Sequence, residues 1–421
     1  MFDENNPSLC ALAFQHSYIS PTYERKLCCI AGDNSLPTKL TQEEFWNGDY
    51  MRDVRKKMIA GEKISECSKC YSAESFGLPS LRKANSKNFI EDPTILENYD
   101  SETGEMSSGP TFFDHRTIHC NLQCISCGGT FSSTHQQLIH RMGSNFTFPA
   151  IDPEYENQMA QEIIDSIIKK ECKSLYWAGG EPLVSKIHWK VVETIKNLLE
   201  DPEYSEYLSA IRPMYTTNLT KLYWKNQSIP ELLKPLNPYL NASIDGTEET
   251  FEYCRDGANW QEMADNWDQY YKVLNSPDFT VSSVLSAPVI FDVDRWIEFF
   301  SKYDILVQNH KLMTNINEYP KTAASFLDIR LFPKHIFDRV INHAIQKFEE
   351  CHLEGTNISA DILKSLIIER EQNLHIFENP KILQKIKQHT LHRDKWLKTN
   401  RSFGELLQII DKEAYEWYNA L

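Results

Sequence analysis

The sequence contains no apolar run near the roughly 18–20 residues that a membrane-crossing helix requires, so no helical membrane span is expected. It also lacks low-complexity and long Gly/Pro-rich tracts, with 15 Gly and 19 Pro dispersed over 421 residues. That excludes collagen-like and disordered classes. Its 13 His are scattered along the chain. Basic residues are the scarcer charge, 44 Lys and Arg against 59 Asp and Glu, for a net charge of −15. Such a surface repels phosphate backbones, so nucleic acid is not the expected partner, a local basic groove apart. No basic segment precedes the apolar stretch of MFDENNPSLCALAF, which therefore does not read as a signal peptide. The expected compartment is the cytoplasm, where eleven cysteines stay reduced and do not pair as disulfides.

What is present is an ordinary globular composition, 41% hydrophobic and 24% charged. Its size implies one large domain with additions, or two to three domains. The cysteines cluster. Cys10, Cys28, Cys29, Cys67 and Cys70 come first, then Cys120, Cys124 and Cys127 in HCNLQCISCGG, then isolated Cys172, Cys254 and Cys351. The C-x3-C-x2-C run brings three thiolates around one centre. A [4Fe–4S] cube normally takes four, so three leave one iron open, as a catalytic zinc keeps one position for water. The competing reading is a structural zinc site completed by His119 or His115. The isolated cysteines read as buried reduced thiols.

The first 90 or so residues hold short elements and turns, with a helix expected around Tyr50 to Ala60. The acidic stretch EDPTILENYDSETGEMSSGP reads as a linker ending near Pro110. From Thr111, short apolar runs alternate with helical patterns about six times. FFDHRTI, SLYWA, RPMYTT, LNASI, FTVSSVLS and DILVQNHKL are the expected strands, with helices between them such as Tyr155 to Lys170 and Met263 to Leu274. This is the signature of α/β architecture, a parallel sheet with crossover helices, closing fully or partly into a TIM-like barrel with reactive groups at the strand C-termini. After about Leu331 the pattern is helical, with Phe337, Val340, Ile341 and Ala344 at helical spacing.

The triplet follows FFDHRTI, in the loop leaving the first expected barrel strand. SLYWA runs straight into Gly179-Gly180-Glu181-Pro182, where glycines permit close backbone approach to a ligand and a carboxylate can accept from an ammonium group. CNLQCISC followed by AGGEP resembles the radical S-adenosylmethionine (SAM) superfamily. The resemblance implies a partial (β/α)6 barrel, a [4Fe–4S] cluster held by Cys120, Cys124 and Cys127, and SAM chelating its fourth iron. It assigns the Gly179, Gly180, Glu181 loop to the SAM amine. Asn218 in TTNLT, with Ser243 and Asp245 in SIDG, goes to the ribose and methionine parts. FEYCRDGANW resembles the Arg-x-Gly segment, so Arg255 is expected on the SAM carboxylate, which a planar guanidinium grips bidentately. The implied chemistry is reductive SAM cleavage to methionine and a 5′-deoxyadenosyl radical that abstracts hydrogen from an unreactive C–H bond. One departure is Ser126, where the family often places an aromatic residue before the third cysteine; stacking on adenine is lost there.

The N-terminal cysteines, in CALAF, KLCCIAGD and CSKCYSAESFGLPSLR, resemble a Twitch or SPASM type auxiliary-cluster domain, here ahead of the barrel. The implied ligands of an auxiliary [4Fe–4S] cluster are Cys10, Cys28, Cys67 and Cys70. Cys29 competes with Cys28, and adjacent strand residues face opposite ways. Ordinary zinc-ribbon spacing is the alternative. The resemblances cover roughly residues 8–90 and 111–290.

The resulting reading is a cytoplasmic radical SAM enzyme in three regions: 1–92 auxiliary-cluster domain, 111–330 barrel core and 331–421 helical. Expected partners are an electron donor such as flavodoxin or ferredoxin and a peptide or protein substrate. A radical dehydrogenase or epimerase for small molecules or nucleotide sugars is the second enzyme reading. A zinc-stabilised, non-catalytic binding module is the third.

Overall fold

The computed structural model describes residues 6–274, 278–311, 326–399 and 401–421. The first five residues of the N-terminal stretch and Leu312, last of the expected strand DILVQNHKL, lie outside them. The chain divides into two compact units, Met1–His119 with Phe148–Tyr215, and Cys120–Thr147 with Thr216–Leu421. Among the described residues no helix is long and apolar enough to cross a membrane.

The first unit contains β1 (His16–Ile19), β2 (Arg25–Lys26), β3 (Phe112–Thr117), β4 (Ser174–Gly179) and the start of β5 (Met214–Thr217). β1 pairs antiparallel with β2 and parallel with β3, and β4 is parallel to both β3 and β5. The N-terminal segment is thus an extension of the parallel sheet, which its pattern did not announce. β3 pairs with β4 from Phe112↔Ser174 to Thr117↔Gly179. Period-two geometry then puts Phe113 and His115 on one face with Leu175 and Trp177, and Asp114 and Arg116 on the other with Tyr176.

The apolar face is covered by the helix Pro153–Ile168, which buries Met159, Ile163, Ile164 and Ile167 at helical spacing. Asp152 caps that helix, its Oδ1 accepting from the amides of Glu154 and Tyr155 at 3.1 Å, with Pro153 preset for the first turn. The next helix, Lys186–Leu199, buries Ile187, Val191, Val192 and Ile195. Each such side chain contributes roughly 1.5–3 kcal/mol on removal from water.

The second unit holds the hairpin β6 (Tyr223–Trp224) and β7 (Gln227–Ser228), then the parallel strands β8 (Tyr239–Ser243), β9 (Phe279–Leu285) and β10 (Leu306–Lys311). Trp267, on the helix Trp260–Leu274, fills the core behind them, edge-on to Phe279 at 4.8 Å and Phe300 at 5.0 Å. The helical C-terminal region includes Lys334–Glu350, which buries Phe337, Val340, Ile341 and Ala344, and Pro380–Asp394. Every strand read from the sequence between residues 112 and 311 is present, so the α/β class built on parallel strands stands.

Candidate cysteine sites and their surroundings

The C-x3-C-x2-C loop belongs to the second unit, and its fold follows from backbone groups that need partners. The Cys127 amide closes a turn on the Cys124 carbonyl at 3.0 Å. The Gln123 and Ile125 amides donate to the carbonyls of Asp256 and Cys254 at 2.9 and 3.0 Å. The carbonyl of the buried Leu122 accepts from the hydroxyls of Ser132 and Thr134, at the start of the helix Ser133–Arg141. Cys120, Cys124 and Cys127 are all half-buried. Burial pushes the Cys124 thiol up to about 12 and the Cys127 thiol to about 11, and neighbouring thiols of the triplet push in the same direction. Arg255 acts against this, its Nη1 standing 3.8 Å from the Cys124 sulfur.

Arg255 also places Nε 3.0 Å from Asp245 Oδ2, yet that N–H has no acceptor in line and is buried. Asp245, just past β8, accepts from the Val284 amide at 2.8 Å and the Ser283 hydroxyl at 3.4 Å. Its carboxylate therefore ties β8 to β9 while facing Arg255. Asn218 donates from Nδ2 to Asn121 Oδ1 at 3.1 Å, next to the first cysteine. Asn121 in turn donates to the Thr220 hydroxyl at 2.7 Å. Ser243 ends β8, half-buried.

Gly179, Gly180 and Glu181 lie in the first unit. Gly179 has φ +102°, and a Cβ there would stand 2.4 Å from the Thr117 carbonyl oxygen. The close approach it serves is to the end of β3. The amides of Gly180 and Glu181 donate to the Thr117 and His119 carbonyls at 2.6 and 2.7 Å. The Glu181 carboxylate is fully buried and accepts from the Leu183 amide at 3.0 Å. His119 Nε2 meets Glu156 Oε1 at 2.8 Å, and the Tyr23 hydroxyl donates to the same oxygen at 3.1 Å. His115 is buried against Trp177, ring centroids 5.4 Å apart, and burial holds its ring down at about 4. Both histidines weighed as a fourth ligand thus have other engagements.

The N-terminal cysteines converge. Cys10, Cys28, Cys67 and Cys70 line one small cavity, with Leu12, Leu27 and Met58 beside the polar Glu66, Lys69 and Arg82. They come from four places: the turn before the one-turn helix Leu12–Gln15, the chain leaving β2, the 3-10 turn Ser65–Cys67 and the helix Ser68–Ser75. Burial raises the Cys10 thiol far above its ordinary value, Cys28 to about 12 and Cys67 to about 11. Cys29 does not line the cavity; it is exposed, and its electrostatic neighbours are Arg116 and Asp114.

The donor sets suit a cationic iron–sulfur group. At the N-terminal cavity, burial makes Cys10, Cys28 and Cys67 costly to ionise without a cation. At the triplet, three thiols and a buried, unaligned Arg255 N–H leave capacity for an anionic ligand. Among the described residues no group of three or more His, Cys, Asp or Glu is drawn together tightly enough to hold a single metal ion as it stands. Residues that sequence reasoning passed over are Asn121, Gln123, Glu156 and Asp256. Gln123 lies inside the triplet and Asp256 inside Arg255-x-Gly257, the only signal either carried.

No protein-family model matches the chain, and no curated protein does. Among solved structures, the chain is similar to a polyhistidine-tagged anSMEcpe with bound AdoMet, at 16% identity over 56% of this chain and 58% of that one, TM-score 0.38. It is similar to Streptococcus suis SuiB bound to the precursor peptide SuiA, at 13% identity over 72% and 65%, TM-score 0.36. A third is TYW1 with a lysine–pyruvate adduct bound, at 14% over 48% and 64%, TM-score 0.26. The chain spans less than two thirds of each of these three. Likeness at this level carries no weight for activity, which is argued below from this chain's own residues.

Proposed function

We propose that the chain is a radical SAM enzyme in which Cys120, Cys124 and Cys127 hold a [4Fe–4S] cluster open at one iron. The observation that carries the reading is the set of three half-buried thiols on one loop, with the Arg255 guanidinium 3.8 Å from the middle sulfur. The cluster, when bound with SAM, supplies the electron for reductive cleavage; the protein positions, orients and excludes water. Arg255 sits where a fixed guanidinium meets both a thiolate and a ligand carboxylate. Asp245 holds that guanidinium from the far side. Asn218 is tied to the cysteine loop through Asn121, and Ser243 ends β8 two residues before Asp245. Assigning Gly179, Gly180 and Glu181 to the SAM amine rests on the sequence resemblance alone.

The second part of the proposal is an auxiliary iron–sulfur cluster in the cavity of Cys10, Cys28, Cys67 and Cys70. Four converging thiols and the outward Cys29 support it. A peptide or protein segment is the proposed substrate, because such auxiliary modules accompany peptide and protein modification in the family the sequence resembles. That step is analogy. An electron donor of the flavodoxin or ferredoxin kind belongs to the same reading.

The test is 5′-deoxyadenosine formation by anaerobically reconstituted, reduced protein. Wild type is expected to form it and Cys124→Ala to lose it. Product undiminished by Cys124→Ala refutes the assignment.

A further inference from the structure

The helical C-terminal region carries no sequence resemblance, yet it is wired to the cysteine loop through one buried carboxylate. Asp256 is fully buried. Its Oδ2 accepts from Gln123 Nε2 at 2.9 Å, and its Oδ1 accepts from the Thr399 amide at 2.9 Å. Its backbone carbonyl takes the Gln123 amide, so Gln123 is gripped twice by one residue. Gln123 is itself 1% exposed and lies between the first two cysteines of the triplet. Its Oε1 accepts from Arg141. Each side-chain polar atom of this buried amide–carboxylate pair thus has a partner, which favours one fixed geometry.

The C-terminal side is equally tied. Gly257 has φ +93°, and a Cβ there would meet the Lys398 side chain at 3.1 Å, so the segment Lys398–Thr399 lies directly on the Arg255-x-Gly257 turn. On the element leading into that turn, the Tyr253 hydroxyl donates to Asp394 at 3.2 Å and accepts from Arg393. Asp394 also accepts from the Phe403 amide at 2.7 Å. The tail helices brace Tyr253 to Gly257 from behind, and that segment holds the cysteine loop from the front.

We propose that Asp256 is a positioning residue through which the C-terminal segment fixes the Cys120–Cys127 loop, Gln123 and Thr399 being its two contacts. The proposal takes its purpose from the cluster reading above, but its test does not need a cluster. In wild type a carboxylate accepts from an amide N–H. Asp256→Asn turns an N–H toward that donor, or orphans the Thr399 amide if it flips. Gln123→Glu sets carboxylate against carboxylate. The double exchange, Gln123→Glu with Asp256→Asn, restores a donor–acceptor pair, keeps the net charge and leaves an anion facing Arg141.

The experiment is timed alkylation of the metal-free full-length chain, read cysteine by cysteine by mass spectrometry. Each single variant is expected to speed labelling of Cys120, Cys124 and Cys127 by about tenfold or more, the scale of one lost hydrogen bond to a buried charge. The double variant is expected to return to within about threefold of wild type, the sign of direct coupling. Buried Cys172, outside this network, serves as the internal reference and should stay slow throughout. Single variants that leave the triplet unchanged, a double variant that adds the two defects, or Cys172 opening with the triplet would each overturn the proposal. On the cluster-loaded protein, the reduced-cluster EPR signal with SAM should broaden in the singles and sharpen again in the double. A wild type that binds no iron, with alkylation coupling intact, would sink the cluster reading and spare the brace.

Discussion

The Arg255 guanidinium bridges Cys124 and Asp245, 3.8 Å from the sulfur through Nη1 and 3.0 Å from the carboxylate through Nε. This places a fixed positive charge between a thiol that burial makes hard to ionise and a carboxylate committed to β9. Lysine cannot reproduce it, since an ammonium is a point charge without the planar fork. Arg255→Lys is expected to raise the KM for SAM by roughly ten- to hundredfold, with a smaller change in kcat. Initial rates of 5′-deoxyadenosine formation at several SAM concentrations, with iron per chain measured in parallel, check it. An unaltered KM at full iron loading would remove Arg255 from the binding role.

The four-cysteine cavity makes a quantitative claim about metal. A protein carrying two cubes should contain about eight irons per chain, and the double variant Cys67→Ala/Cys70→Ala about four. Iron and acid-labile sulfide assays separate the outcomes. An unchanged count eliminates the N-terminal cluster, and zinc without sulfide in wild type returns the ribbon alternative. Cys29→Ala should leave the count at eight, because that thiol lies on the exposed side of its neighbour.

The strands from Phe112 onward were legible because each is a short apolar run set between amphipathic helices, a contrast of two periods along one chain. β1 was not legible as a sheet member. Its four residues are all buried, so they show no alternation, and they follow directly on the one-turn helix Leu12–Gln15. The hairpin of β6 and β7 escaped because two-residue strands carry no period. For the sites, thiols at fixed spacing announce themselves, and only one of two adjacent cysteines could face the cavity. Asp256 and Gln123 did not announce themselves. They are common polar residues 133 positions apart, and only folding shows that they meet.

Gly179 offers a backbone test independent of any cofactor. Its φ of +102° is costly for an L-residue, and an added Cβ would stand 2.4 Å from the Thr117 oxygen and 2.6 Å from its nitrogen. Neither is the end of a flexible side chain, so β3 and β4 must separate to admit a methyl group. Gly179→Ala is expected to cost about 3 kcal/mol or more in stability. Urea unfolding monitored by tryptophan fluorescence measures it, Trp177 being two positions away and fully buried. A loss below about 0.5 kcal/mol, ordinary for a surface change, would show that the turn relaxes freely.

Asp292 gives stability a pH dependence with a definite sign. It lies at the foot of the helix Val293–Phe300, 2% exposed, accepting from the Thr247 amide at 2.6 Å, its hydroxyl at 2.9 Å and Arg295 Nε at 2.5 Å. Burial outweighs these partners and raises its carboxyl from the ordinary 3.8 to about 6. The folded chain therefore holds the proton more tightly than the unfolded chain does. Its contribution to stability is full below about pH 4 and lost as pH rises through about 6. Asp292→Asn fixes the neutral form. Relative to wild type it should gain about 1–3 kcal/mol between about pH 4.5 and about pH 7.5, the span of a two-unit shift tempered by the partly exposed Arg295. Urea unfolding of both proteins at the two pH values reads the difference directly. A gain of the opposite sign would mean that Thr247 and Arg295 stabilise the carboxylate more than burial penalises it, and that the helix start favours the ion.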